Sequence, residues 1–208
     1  MLLPTQFSHA LEWTVVGPMG PMVPDILISH PRLAVDGGAH FCSGMDVWVG
    51  DADSYQIPVQ CPHIFKLEKE KDNSDLAAAL SLLTTGGGYR LHLWGFLGGR
   101  RDHELFNLGE VSTFLKGKEE SQVWMYQQDG KAIFIYYGPG RRIFTHHGLF
   151  SLGTLEEISV ELSGHCRYQI TKPHTLPPLS SFGLSNFASG EVCLESSGPC
   201  FIFFPEGR

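Results

Sequence analysis

The stretch LHLWGFLGGRRDHELFNLGE, residues 91 to 110, decides the fold because it joins three local signals. A β-prone run (91 to 95) is followed by paired glycines and arginines, and apolar residues then recur at helical spacing, at Leu105, Leu108, Val111 and Leu115. A strand, a glycine loop and a helix in this order are typical of a βα unit in a parallel sheet. We therefore predict a strand ending near Gly95 and a helix from about Asp102 to Leu115, with the four apolar residues forming one buried stripe.

The chain before this stretch repeats the same alternation of strand signals with turn or helix signals. Four more β-prone runs precede it, WTVVG (13 to 17), RLAV (32 to 35), DVWVG (46 to 50) and HIFKL (63 to 67). Strong helix formers in SDLAAALSLL predict another helix, with Ser74 or Asn73 as its N-cap and Asp75 in its first turn. This alternation indicates a largely parallel sheet with flanking helices, an α/β domain that we place at residues 1 to 120.

The pattern changes after KGKEES (116 to 121), because no long helical period follows and β-prone runs are separated by tight turns. Two hairpins are predicted, one closed at Gly138-Pro139-Gly140 and one at Ser197-Gly198, with a long surface loop at 172 to 183. An antiparallel β-sandwich from about residue 124 to 208 accounts for these signals. The predicted fold class is thus an α/β domain followed by a C-terminal β-sandwich domain at 121 to 208.

The bulk composition excludes several classes of protein. The 208 residues carry a net charge of −7, whereas a non-specific nucleic-acid binder needs an excess of lysine and arginine. No apolar stretch reaches the about 18 residues of a membrane-spanning helix, and the N-terminal residues lack the features of a signal peptide. We predict a cytoplasmic protein without a nucleic-acid or membrane partner. The five scattered cysteines favour free thiols, and the ten histidines show no zinc-binding spacing.

Acidic side chains follow several of the predicted strands or open the helices beside them. In open parallel sheets, ligands bind outside the carboxyl ends of the strands, so these side chains should meet at one rim. They are Asp36, Asp51, Asp53, Asp72, Asp75 and Asp102. Massed carboxylates repel one another unless cations compensate, and a set of oxygen ligands suits Mg²⁺ together with substrate phosphates. The sequence therefore predicts a Mg²⁺ and phosphate site at this rim.

Glycines and arginines at the same rim fit a bound phosphate. Gly37-Gly38 and Gly98-Gly99 let backbone N–H groups approach an anion without obstruction by a Cβ atom, and Arg100 or Arg101 can clamp it. Taken singly, each feature has a structural explanation, since DGG is usually a turn and Asp75 can serve only the helix N-terminus. Neither G-x-x-x-x-G-K-[ST] nor G-x-G-x-x-G occurs, so the conjunction of these features carries the prediction.

Four motifs in this order resemble the thiamine pyrophosphokinase family. They are DGGAH (36 to 40), GDADS (50 to 54), KDNSD (71 to 75) and GFLGGRRDHELFNL (95 to 108), and SSFGLSN (180 to 186) is similar to the family's G-x-S-N segment. The resemblance implies transfer of diphosphate from ATP to the hydroxyethyl group of thiamine, giving thiamine diphosphate and AMP. It also implies a homodimer whose thiamine site lies between the nucleotide-binding α/β domain of one subunit and the sandwich of the other.

The resemblance also implies roles for individual residues. Catalysis is expected from Asp51, Asp53, Asp75, Arg100 and Asp102, and the first three would hold Mg²⁺. The candidates for binding ATP and its phosphates are Asp36, Gly37, Gly38, Ser54, Lys71, Asp72, Gly98, Gly99, Arg100, His103 and Asn107. Those for thiamine are Ser181, Ser185 and Asn186. Arg101 is expected to face solvent, and the sequence leaves open whether Asp102 orients the attacking hydroxyl or takes its proton.

Some positions depart from the family pattern, and other functions stay open. His40 stands where the family commonly has Asn, Ser74 replaces the usual Thr, and VVGPMGPMVP (15 to 24) is richer in proline than the family's segment. One alternative is a diphosphokinase acting on another hydroxymethyl heterocycle such as a pterin, against which SSFGLSN favours thiamine. A second is a catalytically silent sensor of nucleotide or thiamine diphosphate, against which the intact set of carboxylates argues.

Overall fold

A largely parallel sheet forms the first half of the described chain, and antiparallel strands form most of the second. The computed structural model describes residues 3–20, 31–53, 60–83 and 87–208. Five strands occupy the first half, namely β1 (Glu12–Val16), β2 (Arg32–Val35), β3 (Val47–Gly50), β4 (His63–Lys66) and β5 (Arg90–Trp94). They pair in parallel in the order β4-β3-β2-β1-β5, so all five predicted strands are confirmed.

Two helices cover one face of this sheet. Helix α1 (Asp75–Ser81) begins where predicted, and the Ser74 hydroxyl accepts a hydrogen bond from the Ala77 N–H at 3.0 Å. Helix α2 (Arg101–Leu115) begins one residue earlier than predicted. Both pack against apolar side chains of β1, β2, β3 and β5 in one core cluster. Neither helix has the length and apolar character that crossing a membrane requires.

The predicted apolar stripe of α2 is buried only over its second half. Val111 and Leu115 are fully buried and Leu108 is partly buried, but 55% of Leu105 is exposed, so its predicted burial is wrong. At 3.6 residues per turn, Leu105 lies about 60° to 120° around α2 from Leu108, Val111 and Leu115, which places it beyond the buried face.

The second half of the chain contributes seven strands. They are β6 (Gln122–Tyr126), β7 (Ala132–Tyr137), β8 (Gly140–Gly153), β9 (Ile158–Cys166), β10 (Ile170–Leu176), β11 (Asn186–Ser196) and β12 (Cys200–Phe203). Strand β6 pairs in parallel with β5 and antiparallel with β7, so the antiparallel region begins one strand later than predicted. Hydrogen bonding continues across residue 120, in the order β10-β9-β11-β8-β12-β7-β6-β5. The division into two domains stays a prediction.

Both predicted hairpins are wrong. Strand β12 lies between β7 and β8, and β8 lies between β12 and β11, so neither pair of consecutive strands is hydrogen-bonded to each other. Instead, Ile135 and Tyr137 of β7 share an apolar core cluster with Phe144 and Phe150 of β8. Strands joined by a tight turn therefore contribute apolar side chains to one core without pairing with each other, and burial in that core removes these side chains from water.

The predicted surface loop at 172 to 183 is also wrong over its first half. Residues Ile170–Leu176 form strand β10, which pairs with β9 at the end of the sheet order. Pro173 lies where the pairing shifts register, between Ile170 and His174, and an edge strand tolerates a residue without an N–H. Residues 177 to 185 are irregular apart from a short 3₁₀ turn at Ser181–Gly183. All five cysteines are free thiols, as predicted.

Candidate active site

A cavity of about 490 Å³ lies at the carboxyl ends of β1, β2, β3 and β5, beside the first turns of both helices. We call it the rim cavity. Of the candidate residues from the sequence, those lining it are Asp36, Asp51, Asp53, Lys71, Asp75, Gly98, Arg100, His103 and Asn107. Gly37, Gly38, Asp72, Gly99 and Asp102 are described but do not line it. Ser54 lies outside the described residues.

Three carboxylates gather at one point of the rim cavity. Asp36 follows β2, and Asp51 and Asp53 follow β3, so parallel neighbouring strands deliver all three. One oxygen atom from each carboxylate lies within 4.8 Å of the others. Asp36 and Asp51 are buried and Asp53 is exposed. Mg²⁺ prefers oxygen ligands, and in proteins it usually keeps several waters and binds substrate phosphates beside one or two carboxylates. These three carboxylates, on an open cavity, therefore fit that ion.

The backbone around these carboxylates is held in uncommon conformations. Asp36 has φ +44° and Ala52 has φ +63°, in the left-handed region that side chains disfavour. The Trp48 indole N–H donates to the Asp36 carbonyl oxygen at 3.0 Å, and the Asp53 N–H donates to Asp51 Oδ1 at 3.0 Å. A strained backbone conformation of this kind persists only where several surrounding contacts hold it in place. Such conformations are most frequent at functional sites. The contact of Trp48 was not foreseen from the sequence.

Lys71 connects two acidic segments of the cavity. Its Nζ lies 2.5 Å from Asp51 Oδ2 and 3.1 Å from Asp75 Oδ1. The hydrogen bond from Lys71 lowers the pKa of Asp51, whereas burial raises the pKa of Asp75. Burial alone would lower the pKa of Lys71, but the bonds to both carboxylates outweigh it and the pKa is raised. Asp75 therefore enters the site through Lys71 rather than as a member of the close group of three.

The two glycine pairs have different surroundings. A Cβ atom on Gly38 would lie 2.0 Å from the Val16 carbonyl oxygen, so tight packing against β1 requires this glycine. Gly98 has φ +85° and no atom within 4 Å of the place where its Cβ would stand. The surroundings of Gly98 thus leave room for an anion to approach its backbone. Gly38, in contrast, is required by its tight packing against β1.

The two arginines before α2 also differ. Arg100 lines the rim cavity and forms two bonds with Asp102, from Nε to Oδ1 at 3.1 Å and from an Nη to Oδ2 at 2.5 Å. This contact lowers the pKa of Asp102 to about 2. Arg101 is exposed and does not line the cavity.

Two further residues of α2 hold the glycine loop. The Asn107 side-chain N–H donates to the Phe96 carbonyl oxygen at 3.0 Å, so Asn107 braces the loop after β5. Glu104 Oε2 accepts a hydrogen bond from the Gly98 N–H at 3.1 Å. Glu104 was missed from the sequence, although an acidic residue a few positions after a helix start is the usual signal for such a backward contact.

The candidates for thiamine lie elsewhere in the same chain. Asn186 borders a cavity of about 630 Å³ together with residues between 152 and 184. Both ends of its amide are bonded to Tyr168, with Nδ2 donating to the Tyr168 carbonyl oxygen at 2.8 Å and Oδ1 accepting from its N–H at 3.0 Å. Ser181 and Ser185 are exposed and do not border this cavity. The rim cavity and this one share no lining residue among those described.

Comparison with known proteins reveals a likeness over nearly the whole chain. No protein-family model and no curated protein matches the sequence. Three solved structures with a similar fold are thiamine pyrophosphokinases. That of Bacillus subtilis has 19% identity and a TM-score of 0.68, covering 92% of this chain and 97% of that chain. That of Candida albicans has 12% identity and a TM-score of 0.70, covering 96% and 90%. The yeast enzyme has 10% identity and a TM-score of 0.62, covering 99% and 92%.

The level of identity decides what this likeness establishes. At 10 to 19% identity the correspondence is one of fold, extending from the parallel strands to the C-terminal antiparallel ones. The resemblance carried by the ordered motifs and the resemblance of the coordinates thus point to the same group of proteins. The chain has the fold of the solved thiamine pyrophosphokinases.

Proposed function

We propose that this protein is a thiamine pyrophosphokinase, which transfers diphosphate from ATP to the hydroxyethyl group of thiamine and releases AMP. One observation carries the proposal. Three carboxylates have oxygen atoms within 4.8 Å of one another in a cavity that Lys71, Arg100 and Gly98 also line. This arrangement suits a polyphosphate with Mg²⁺, and it lies on the fold of the solved thiamine pyrophosphokinases from Bacillus subtilis and Candida albicans.

The metal is proposed to bind the acidic group of the rim cavity. Asp36, Asp51 and Asp53 would hold it, and Asp75 would join them if Lys71 turns to a phosphate oxygen. Bound there, Mg²⁺ supplies positive charge that neutralises the phosphates as the β-phosphorus is attacked. Lys71 then exchanges a carboxylate partner for a phosphate partner and stays charged throughout, because its pKa is raised.

The residues before α2 are proposed to act on the transferring group. The thiamine hydroxyl oxygen forms a bond to the β-phosphorus as the bond from that phosphorus to the bridging oxygen of AMP breaks, and the hydroxyl proton leaves to solvent or a nearby acceptor. Arg100 stabilises the charge on the transferring oxygens. Asp102 would orient the hydroxyl as an acceptor once Arg100 turns from it to the transferring group.

The thiamine site is proposed to form between subunits of a homodimer. The nucleotide side would be residues 1 to 120 of one subunit, and the thiamine side would be the β-sandwich of residues 121 to 208 of the other. This arrangement is supported by the two cavities of one chain, the rim cavity and the cavity beside Asn186, which share no lining residue among those described. Ser185, at φ +58°, would contact thiamine, while the bonds of Asn186 to Tyr168 hold that segment in place.

Turnover tests this proposal directly. Incubation with ATP, Mg²⁺ and thiamine should release AMP and form thiamine diphosphate in equal amounts, and incubation with hydroxymethylpterin in place of thiamine should release none. AMP release only with the pterin would reassign the substrate. Tight binding of ATP or thiamine diphosphate without any release would instead indicate a sensor.

A further inference from the structure

The anion-binding groups of the glycine loop are already occupied by carboxylates of the helix that follows it. The Arg100 guanidinium is bonded to Asp102 through two contacts, and the Gly98 N–H is bonded to Glu104 Oε2 at 3.1 Å. Both carboxylates belong to the first two turns of α2. A charged oxygen that accepts from a backbone N–H makes the same kind of bond that a phosphate oxygen would make there.

Glu104 reaches Gly98 from outside the rim cavity. A second cavity, the side cavity, has a volume of about 460 Å³ and is lined by Leu97, Gly98, Glu104, Gln127, Gln128, Asp129 and Ile133. Gly98 lines both cavities, whereas Glu104 lines only the side cavity. The backbone of Gly98 therefore borders the site proposed for substrate phosphate while its N–H is bonded to the carboxylate of Glu104.

We propose that Glu104 is an internal anion that competes with the phosphate of the nucleotide for the Gly98 N–H and so sets the affinity of the protein for ATP. This inference rests on the proposed function only in naming ATP as the polyphosphate. Asp102 makes the corresponding contact with Arg100. Because Asp102 is also proposed to act on the attacking hydroxyl, its substitution would change catalysis as well as ATP binding, so Glu104 is the residue to substitute.

The side cavity gives the displaced carboxylate a place to go. Its lining includes the polar residues Gln127, Gln128 and Asp129, and its volume leaves room for the Glu104 side chain to turn away from Gly98. The negative charge also opposes phosphate from its present position. Two unit charges about 4 Å apart in water repel by about 1 kcal/mol, which corresponds to a change of about fivefold in an equilibrium constant.

Two substitutions separate competition from simple bracing. Glu104→Gln removes the charge but keeps an oxygen that can accept from Gly98, and Glu104→Ala removes both. If Glu104 competes with phosphate, calorimetric titration with Mg·ATP should give a Kd about fivefold lower for Glu104→Gln and at least as low for Glu104→Ala. The KM for ATP should fall by more than kcat changes. The exposed Glu157, in the connection before β9, provides a control of equal charge, and Glu157→Gln should bind Mg·ATP as the original protein does.

The Gly98 amide provides a readout that a change in fold would not imitate. In protein labelled with ¹⁵N-glycine, its resonance should shift when ATP is added to the original protein, and ATP should bring it to the same final position in Glu104→Ala, where no carboxylate remains to be displaced. If Glu104 only braces the loop, Glu104→Ala should bind ATP more weakly than the original protein, and Glu104→Gln should bind it with the same Kd. That result would overturn the proposal.

Inorganic triphosphate distinguishes failure of this inference from failure of the proposed function. Tighter binding of Mg·triphosphate by both Glu104 variants, together with no turnover of thiamine by the original protein, would support the competition and reject the enzyme activity. Normal thiamine turnover, together with unchanged or weaker binding by both variants, would reject the competition and leave the enzyme activity standing.

Discussion

Asp51 connects the close group of three carboxylates to Lys71. It belongs to the close group of three, bonds Lys71 at 2.5 Å and accepts from the Asp53 N–H. Replacement by Asn keeps the shape but removes the charge, so Asp51→Asn should lower turnover at least about a hundredfold, as expected for loss of electrostatic stabilisation. Steady-state rates over a Mg²⁺ titration measure the effect. Recovery of the full rate at saturating Mg²⁺ would assign Asp51 to metal affinity alone.

Two glycines should respond in opposite directions to the same substitution. Gly38→Ala places a Cβ atom 2.0 Å from the Val16 carbonyl oxygen, so we expect a loss of at least about 2 kcal/mol in the free energy of unfolding. Gly109 lies inside α2 with no atom within 4 Å of an added Cβ, and Gly109→Ala should stabilise the protein by up to about 1 kcal/mol. Urea denaturation of both variants provides the comparison, and equal effects would contradict the packing assigned to Gly38.

At the residue scale, the sequence predicts which backbones meet but not which side chains bond. Asp36, Asp51 and Asp53 could be placed together because each directly follows a strand of a parallel sheet. The bridge from Lys71 to Asp51 and Asp75, and the contact of Glu104 with Gly98, depend on rotamers chosen in the folded site. Asp102 was expected at the rim, but its bond to Arg100 holds it outside the cavity lining.

At the scale of elements, His92 joins β5 to β6 on the face of the sheet away from α1 and α2. Its ring stacks on Trp124 with centroids 4.9 Å apart, and its Nδ1 lies 2.8 Å from the Tyr126 hydroxyl oxygen. Burial lowers the pKa of His92, and Glu12 offsets only part of that effect. The folded state therefore binds the proton of His92 less tightly than the unfolded chain does.

This difference predicts how stability depends on pH. As the pH falls below the ordinary histidine pKa of about 6.5, the unfolded state gains a proton first, so the free energy of unfolding should fall, by at most about 1.4 kcal/mol per pH unit for one group. In His92→Asn the decline between about pH 7 and pH 5.5 should be shallower. Chemical denaturation at several pH values checks this, and parallel curves for the two proteins would remove His92 from the linkage.

Strand positions were easier to predict than strand partners. Short apolar runs bounded by turn residues mark β1, β2 and β3, because strands buried on both faces require nearly continuous apolar sequence. The connections at 138–140 and 197–199 have the local sequence of hairpin turns, yet each carries the chain past an intervening strand. Nothing within such a turn records that Phe144 and Phe150 share a core with residues of β7 while β12 pairs between the two strands.

At the scale of the whole molecule, a shared site makes a prediction about mixed dimers. If each thiamine site combines the rim of one subunit with the Ser185 segment of the other, Asp51→Asn and Ser185→Phe should each be inactive alone. Refolded together in equal amounts, they should recover about a quarter of the original activity, since half of the dimers are mixed and each mixed dimer has one intact site. Light scattering confirms the dimers. Mixed dimers that form without recovering activity would exclude the shared site.

The order of strands has a consequence for any attempt to divide the chain. Strand β6 is hydrogen-bonded on one side to β5 and on the other to β7, and only six residues separate it from the end of α2 at Leu115. A cut at residue 120 would give one fragment whose last strand, β5, has a bare edge, and another whose first strand has lost its parallel neighbour. Bare edges of this kind seek a new strand. The two fragments should therefore reassociate with each other when mixed, and should aggregate when kept apart.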